Sequence, residues 1–286
     1  MAHPTSERYS RNEGLFGVDG QQTIANTAAA IAGLGGLGSH VAQQLAYLGT
    51  RRFALIDHDH VTESSMNRVV TADDVDVATA TLKVETARRR ILAINPSAEV
   101  FTVPARLDDP DAFAALADTH VVFGCVDNDF ARVQLTRMCS SLALPLFDVA
   151  TDVDTTTTPV MFGGRVVCCT GSGCLVCLDI LDQDELARAS MSADQADAHQ
   201  RIYGVRRAAL HGSGPMVVSI NGTVASLAVT EFIAHLTGLR PVNRHLSYYG
   251  DRTQIRFGGD PPAADCYYCR GLWGTAVQNP EADRRR

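Results

Sequence analysis

From Ala28 to Ala150 short apolar runs alternate with amphipathic stretches, the rhythm of βαβ units that build a parallel sheet. Thr27 to Ala32 reads as a first strand running into Gly33. Ser39 to Leu48 reads as a helix, with Val41, Leu45 and Leu48 on one face and Gly49 as its stop. Arg52 to Ile56 is a strand ending in Asp57, and Thr81 to Ile94 a helix halted by Asn95-Pro96. Val100 to Val103, Val121 to Cys125 and Leu144 to Val149 predict three more strands, the last two separated by a helix from Asp129 to Leu142. The class this predicts is α/β: a Rossmann-like, mostly parallel sheet with helices on both faces.

After Ala150 the pattern changes. Thr151 to Cys169 is rich in Thr and Val, with a Gly163-Gly164 pair that predicts a turn between antiparallel strands. Leu181 to Arg207 is polar and Ala-rich, an expected surface excursion. Val217 to Leu236 predicts a buried apolar helix ending at Gly238, and Arg244 to Phe257 a final strand pair. The organisation expected is an N-terminal arm or helix over 1–26 and a nucleotide-binding α/β domain over 27–150. An antiparallel C-terminal extension of the same domain covers 151–270, and 271–286 is expected to be a disordered tail.

Composition narrows the function classes. The chain has 286 residues, 45% apolar and 20% charged, in the range of an ordinary globular protein. No apolar run approaches the roughly 18 residues of a membrane span, and Met1 to Gly14 lacks the apolar core of a secretion signal, so a cytoplasmic location off the membrane is expected. A net charge of −7 argues against a protein that grips nucleic-acid backbone. Arg88-Arg89-Arg90 reads as a solvated helix face and Arg284 to Arg286 as a frayed tail.

Gly33-Leu34-Gly35-Gly36-Leu37-Gly38 satisfies G-x-G-x-x-G between a predicted strand and a predicted helix. Glycines there permit a tight turn and let backbone N–H groups approach phosphate oxygens at a helix N-terminus. Asp57 ends the next strand, where a carboxylate can accept from ribose hydroxyls. The loop and Asp57 alone leave NAD, FAD and ATP open. Of eight cysteines, four form two C-x-x-C pairs, Cys174/Cys177 and Cys266/Cys269. Two such turns complete a tetrahedral tetrathiolate zinc site, which has no open position and would be structural; a redox pair or buried disulfides are the competing readings. His58 and His60 flank Asp59, and His211 precedes a Gly-Ser-Gly-Pro turn at the mouth of the apolar helix.

A longer ordered set of residues decides among the nucleotides. Arg8-Tyr9-Ser10-Arg11-Asn12 precedes the loop; Asp57-His58-Asp59, Ser64-Ser65-Met66-Asn67-Arg68, Lys83-Val84-Glu85, Ile94-Asn95-Pro96 and Cys125-Val126-Asp127-Asn128 follow it. This set resembles the ThiF/MoeB/HesA family, bacterial relatives of ubiquitin-activating enzymes, from about Arg8 to Cys269. The resemblance implies an ATP-dependent adenylyltransferase that joins a carboxylate to AMP and releases pyrophosphate. Gly33, Gly35, Gly36 and Gly38 would line the nucleotide loop and Asp57, with Asp59 nearby, would hold the ribose. Asn67, Arg68 and Lys83 would grip the triphosphate, Asp127 would hold Mg²⁺ and position the carboxylate, and Arg11 would reach across a homodimer interface. The same resemblance places a structural zinc on the four cysteines. Ser65 and Val69 depart from the family's usual Asn and Gln, removing two polar contacts near the triphosphate.

Relatives that form thioesters carry a cysteine after the first C-x-x-C, but Leu178 to Ala264 contains none. Cys125, Cys139, Cys168 and Cys169 fall in strand or helix positions that read as packed. The expected partner is a ubiquitin-like or sulfur-carrier protein with a C-terminal Gly-Gly, or alternatively a precursor peptide in natural-product or toxin synthesis. An NAD-dependent oxidoreductase would leave Arg11, Arg68, Lys83 and Asp127 without a role; a non-catalytic scaffold would be marked by loss of that charged cluster.

Overall fold

The computed structural model describes residues 7–181, 215–259 and 261–278. The chain opens with helix α1 (Ser10–Asn26), kinked at Gly17, which leads into strand β1 (Ala28–Ala32). All five β1 residues are buried because the strand is covered on both faces, which explains an unbroken apolar run rather than alternation. Helix α2 (Gly36–Leu48) follows and stops at Gly49, whose left-handed φ of 92° closes the C-terminus.

Next come β2 (Arg52–Ile56), the short α3 (Asp74–Ala78), α4 (Lys83–Ile94), β3 (Glu99–Val103), α5 (Pro110–Ala117) and β4 (Val121–Gly124). The α5 turn was not anticipated, although Asp109-Pro110 spells its start: Asp109 accepts from the Asp111 N–H and Pro110 occupies the first turn. Helix α6 (Asp129–Ser141), β5 (Leu146–Asp154), β6 (Met161–Cys169), α7 (Val218–Thr237), β7 (His245–Tyr249), β8 (Gln254–Phe257) and the single turn α8 (Thr275–Gln278) complete the described elements.

The strands form one sheet in the order β3-β2-β1-β4-β5-β6-β7-β8. The first five are parallel, and β6, β7 and β8 add antiparallel. On one face α2, α4 and α7 bury Ile31, Leu45, Phe53 and Ile91 around Phe123, Phe147 and Phe232. The rings of Phe123 and Phe147 stack with centroids 5.5 Å apart. On the other face α5 and α6 pack Leu116, Leu135 and Cys139 over Ala30, Leu146 and Val167, and the four paired cysteines belong to this layer. Helices on both faces are as expected.

Two expectations need correcting. The Gly163-Gly164 pair makes no turn: it lies inside β6, paired with Asp152 and Thr151 of β5. Its glycines serve close approach, since a Cβ on Gly163 would lie 2.0 Å from the Tyr248 carbonyl oxygen of the neighbouring strand. The reversal comes earlier, between Asp154 and Met161, and β5 runs five residues past Val149. The arginine run is also more than a solvated face. Arg89 bonds both carboxylate oxygens of buried Asp76, and Arg90 donates to Gln43 at 2.9 Å, tying α4 to α3 and α2.

Residues 182–207 of the polar excursion, His211 and Arg284 to Arg286 lie outside the described residues. Gly271 to Gln278 is described, and the Gly274 N–H donates to the Ser140 carbonyl at 2.9 Å. No helix among the described residues is long and apolar enough to cross a membrane.

Candidate functional site

The sheet order reverses direction between β1 and β4. From β1 the chain steps outward through β2 and β3; from β4 it steps the other way through β5. The crevice beyond the carboxyl ends of strands at such a switch point is where open α/β sheets bind ligands. The glycine loop leaves β1 there, Asp57 leaves β2, and Cys125 to Asn128 leave β4.

Two glycines are dictated by this packing. Gly33 has a φ of +89°, and a Cβ on it would lie 2.6 Å from the Cys125 carbonyl oxygen. A Cβ on Gly38 would lie 1.8 Å from the Gly33 carbonyl oxygen, so the first turn of α2 closes directly onto the loop. Gly35 faces open space and α2 has no side-chain cap at its N-terminus, leaving its first N–H groups directed at the crevice.

Asp57 is buried and accepts from the Leu34 N–H at 2.6 Å and from the Asp59 N–H at 2.8 Å, joining the glycine loop to the segment after β2. Burial raises its pKa above the ordinary carboxylate range, against the pull of Lys83 and the two N–H groups. The next segment doubles back on the start of α4: the Lys83 N–H donates to the Asp59 carbonyl at 2.9 Å and the Val61 N–H to that of Thr81 at 2.8 Å. This pairing sets Lys83 Nζ 2.7 Å from Asp59 Oδ2. Burial pushes the Asp59 carboxyl up, but the Lys83 hydrogen bond and charge outweigh it and hold the group below its usual range. Lys83 thus pairs with Asp59 in the structure. His58 flanks the same carboxylate at 3.4 Å.

Arg68 Nη1 donates to Asn67 Oδ1 at 2.9 Å and also to the Ser64 carbonyl. Asn67 Nδ2 donates to the Met216 carbonyl at 3.2 Å, tying this segment to the chain just before α7. The stem of Arg68 crosses the loop, its Cδ 3.3 Å from where a Cβ on Gly36 would stand. At the two positions that depart from the family, Ser65 is buried with its Oγ engaged by Thr62, and Val69 packs in the interior.

At the end of β4, Asn128 rather than Asp127 caps α6, its Oδ1 accepting from the Ala131 N–H at 2.8 Å. Asp127 is exposed, touched by Asn128 Nδ2 at 3.1 Å. Arg11 stands elsewhere. The guanidinium of Arg8 donates to the Ile94 carbonyl, the Tyr9 ring packs against Gly49, and Asn12 joins Gln21, which bonds the Leu48 carbonyl. These ties hold the start of α1 at the far end of α2, a helix of 13 residues and so about 20 Å from the loop. Arg11 is exposed there.

Sequence reasoning missed a buried ion pair behind Asp127. Arg132 Nη1 bonds both oxygens of Asp148, at 2.7 and 2.8 Å, while Nη2 donates to the Val126 carbonyl at 2.6 Å. Half-buried Arg165 on β6 lies close by, its pKa lowered by burial and by the charge of Arg132. An aspartate inside the apolar run Leu144 to Val149 was the available signal, because a fully buried carboxylate requires a cation.

The four paired cysteines come together. Their sulfurs lie within 4.8 Å of one another, with Cys174–Cys177 and Cys177–Cys269 at 3.8 Å and Cys174–Cys266 at 3.6 Å. Tetrahedral zinc with Zn–S bonds of about 2.3 Å sets its sulfurs about 3.8 Å apart, so the cluster has the dimensions of such a site and none of a disulfide. Cys125, Cys139, Cys168 and Cys169 are buried and their thiols are pushed far up by burial, which disfavours the thiolate.

The fold and these clusters define a Rossmann-like α/β protein with a glycine loop at its switch point and a four-cysteine cluster under its second face. The sequence matches the ThiF family over residues 9–267, and the chain belongs to that family. It is 37% identical over 141 residues to the molybdopterin-synthase adenylyltransferase of Escherichia coli (strain K12), covering 49% of this chain and 56% of that protein. The chain thus spans little more than half the length of that relative. It is 29% identical over 272 residues to the sulfur carrier protein ThiS adenylyltransferase of the same strain, covering 92% of this chain and 95% of that protein. Among solved structures, Escherichia coli MccB with AMPCPP and selenomethionine MccA superposes with a TM-score of 0.71 at 19% identity, over 93% of this chain and 75% of that one, a likeness of fold.

Proposed function

We propose that this chain is an ATP-dependent adenylyltransferase that activates the C-terminal carboxylate of a ubiquitin-like or sulfur-carrier protein ending in Gly-Gly. The observation that carries the reading is the convergence of the glycine loop, Asp57, Asp59–Lys83, Arg68 and Asp127 around one switch-point crevice in a member of the ThiF family. In this reading the loop and the N-terminus of α2 receive the phosphates, and Asp57 the ribose. Arg68 and Lys83 offset charge on the departing pyrophosphate as the carboxylate oxygen attacks the α-phosphorus, a reaction driven by positioning and charge stabilisation. Lys83 then exchanges Asp59 for phosphate. Asp127 would hold Mg²⁺, which when bound would supply further charge neutralisation. The four cysteines would hold a structural zinc that pins 174–177 to 266–269, as their spacing fits.

Arg11 lies near the C-terminal end of α2, about one helix length of 20 Å from its own loop and farther than an arginine reaches, which supports a homodimer in which Arg11 serves the partner's site. A second reading keeps the chemistry and changes the acceptor to a precursor peptide; the likeness of fold to MccB, solved with AMPCPP and MccA, favours it. In both readings the adenylate leaves without a thioester on this chain, given the buried thiols above.

The test is exchange of labelled pyrophosphate into ATP, run with candidate small proteins ending in Gly-Gly and, separately, with short peptides. Exchange should depend on Mg²⁺ and on the correct acceptor, and Asp127→Ala should abolish it without loss of fold. Undiminished exchange in that variant would remove Asp127 from the mechanism, and exchange with no candidate acceptor of either kind would count against both readings.

A further inference from the structure

We propose that Asn221, on the first turn of α7, is a ligand-contacting residue of this site that donates its side-chain N–H to an oxygen of the α-phosphate. The proposal rests on the nucleotide reading above and adds a residue from outside the segments that carry it. Asn221 is 1% exposed. Its Oδ1 accepts from the Thr151 hydroxyl at 2.9 Å, which fixes the orientation of the amide. Its Nδ2 is sealed against the loop and has no hydrogen-bond partner, so a phosphate oxygen reaches it as the Gly36 turn shifts to admit nucleotide. That nitrogen is aimed at the glycine loop: a Cβ on Gly36 would lie 2.1 Å from Nδ2, 3.1 Å from Cγ and 3.3 Å from Arg68 Cδ. Asn221 therefore occupies the space a side chain at Gly36 would take, and its donor rests on the first residue of α2.

A buried donor without an acceptor is rare and costly. Thr151 holds this one in place rather than relieving it, because the hydroxyl takes the oxygen and leaves the nitrogen facing the loop. The surroundings specify what completes it. The uncapped N-terminus of α2 favours an anion at this point, and the Cδ of Arg68 passes beside it, with the guanidinium bonded to the Ser64 carbonyl and Asn67 Oδ1. The ribose end of the crevice is marked by Asp57, bonded to Leu34 on the preceding turn of the loop, so the group above Gly36 is phosphate. ATP, AMP and an acyl adenylate share the α-phosphate, so the contact is available throughout the reaction.

Calorimetric affinities for adenosine, AMP and ATP test this on the full chain. Asn221→Ala should weaken AMP and ATP by about tenfold or more, the usual loss for one hydrogen bond to a charged group, and leave adenosine within about twofold. Asn221→Asp should lose more, because it sets a carboxylate against the phosphate. Thr151→Val keeps the Asn221 side chain but frees its amide to rotate; it should show a smaller loss confined to the two phosphorylated ligands. That variant also carries the test if Asn221→Ala does not fold. Equal losses for adenosine and AMP would mean that Asn221 merely shapes the loop, and unchanged AMP affinity in the variants would mean that it touches no phosphate; either overturns the proposal while sparing the nucleotide reading. A wild-type chain that binds none of the three would overturn both.

Discussion

Asp148→Asn isolates the buried charge pair behind Asp127. The Asp148 side chain is fully buried and that of Arg132 nearly so, and the substitution keeps shape while removing the negative charge. Breaking one side of a buried pair leaves an uncompensated ion and costs about 3–5 kcal/mol. Two neighbours adjust that figure. Asp129 Oδ1 stands 3.3 Å from Arg132 Nε and retains part of the compensation, whereas half-buried Arg165 loses a nearby anion. These effects oppose one another, and the bonds from Arg132 to the Val126 and Val149 carbonyls survive, so the expected loss is about 3 kcal/mol, the lower end of the range. Urea denaturation should show a lower midpoint with an unchanged slope. The double variant Arg132→Met with Asp148→Leu should recover part of the loss, because an apolar pair of similar volume leaves no buried ion uncompensated while the Val126 and Val149 carbonyls lose their donor. A loss under about 1 kcal/mol for Asp148→Asn, or a double variant no more stable than the single, would refute the reasoning. The double variant also removes the donor to the Val126 carbonyl beside Asp127 and should slow pyrophosphate exchange.

Other expectations follow from the same geometry. Arg89 holds the Asp76 carboxyl below its usual range, so the pair stabilises the fold above the unfolded pKa near 4 and is lost as pH falls through the depressed folded value. Asp76→Asn should therefore cost about 1 kcal/mol at neutral pH, and the gap to wild type should close in acid denaturation curves below about pH 4; a gap that widens there would contradict the linkage. Elemental analysis should find about one Zn²⁺ per chain, and Cys174→Ser should lower both metal content and melting temperature; a metal-free, fully stable wild type would remove the zinc assignment. Arg11→Ala and Asp127→Ala chains should each be nearly inactive. Mixed with subunit exchange they should recover about a quarter of wild-type activity, since about half of randomly paired dimers are hybrids with one intact site. Verified exchange without recovery would place Arg11 in its own chain's site or in none.

The elements that local pattern can specify were legible in the sequence. The strand and helix alternation from Ala28 to Ala150 is written in apolar periodicity, and the glycine loop, Asp57 and the cysteine pairs in spacing, because each depends on residues a few positions apart. Helix ends were displaced by one to three residues, as for α2, which starts at Gly36 rather than Ser39: backbone closure onto Gly33, not propensity, sets that end. Tertiary packing decided what depends on chain segments distant in sequence. Gly163-Gly164 has the composition of a turn yet lies within a strand because β7 passes too close for a side chain. Arg132 and Asp148 pair only because α6 packs over β5, and Lys83 meets Asp59 only because the segment after β2 folds back on α4. Asn221 sits on a helix that reads as uniformly apolar core, and its amide has a role to play only where α7 crosses the first turn of α2. A side chain's chemistry is local, but whether it is desolvated, paired or left without a partner depends on which distant segment the fold sets against it.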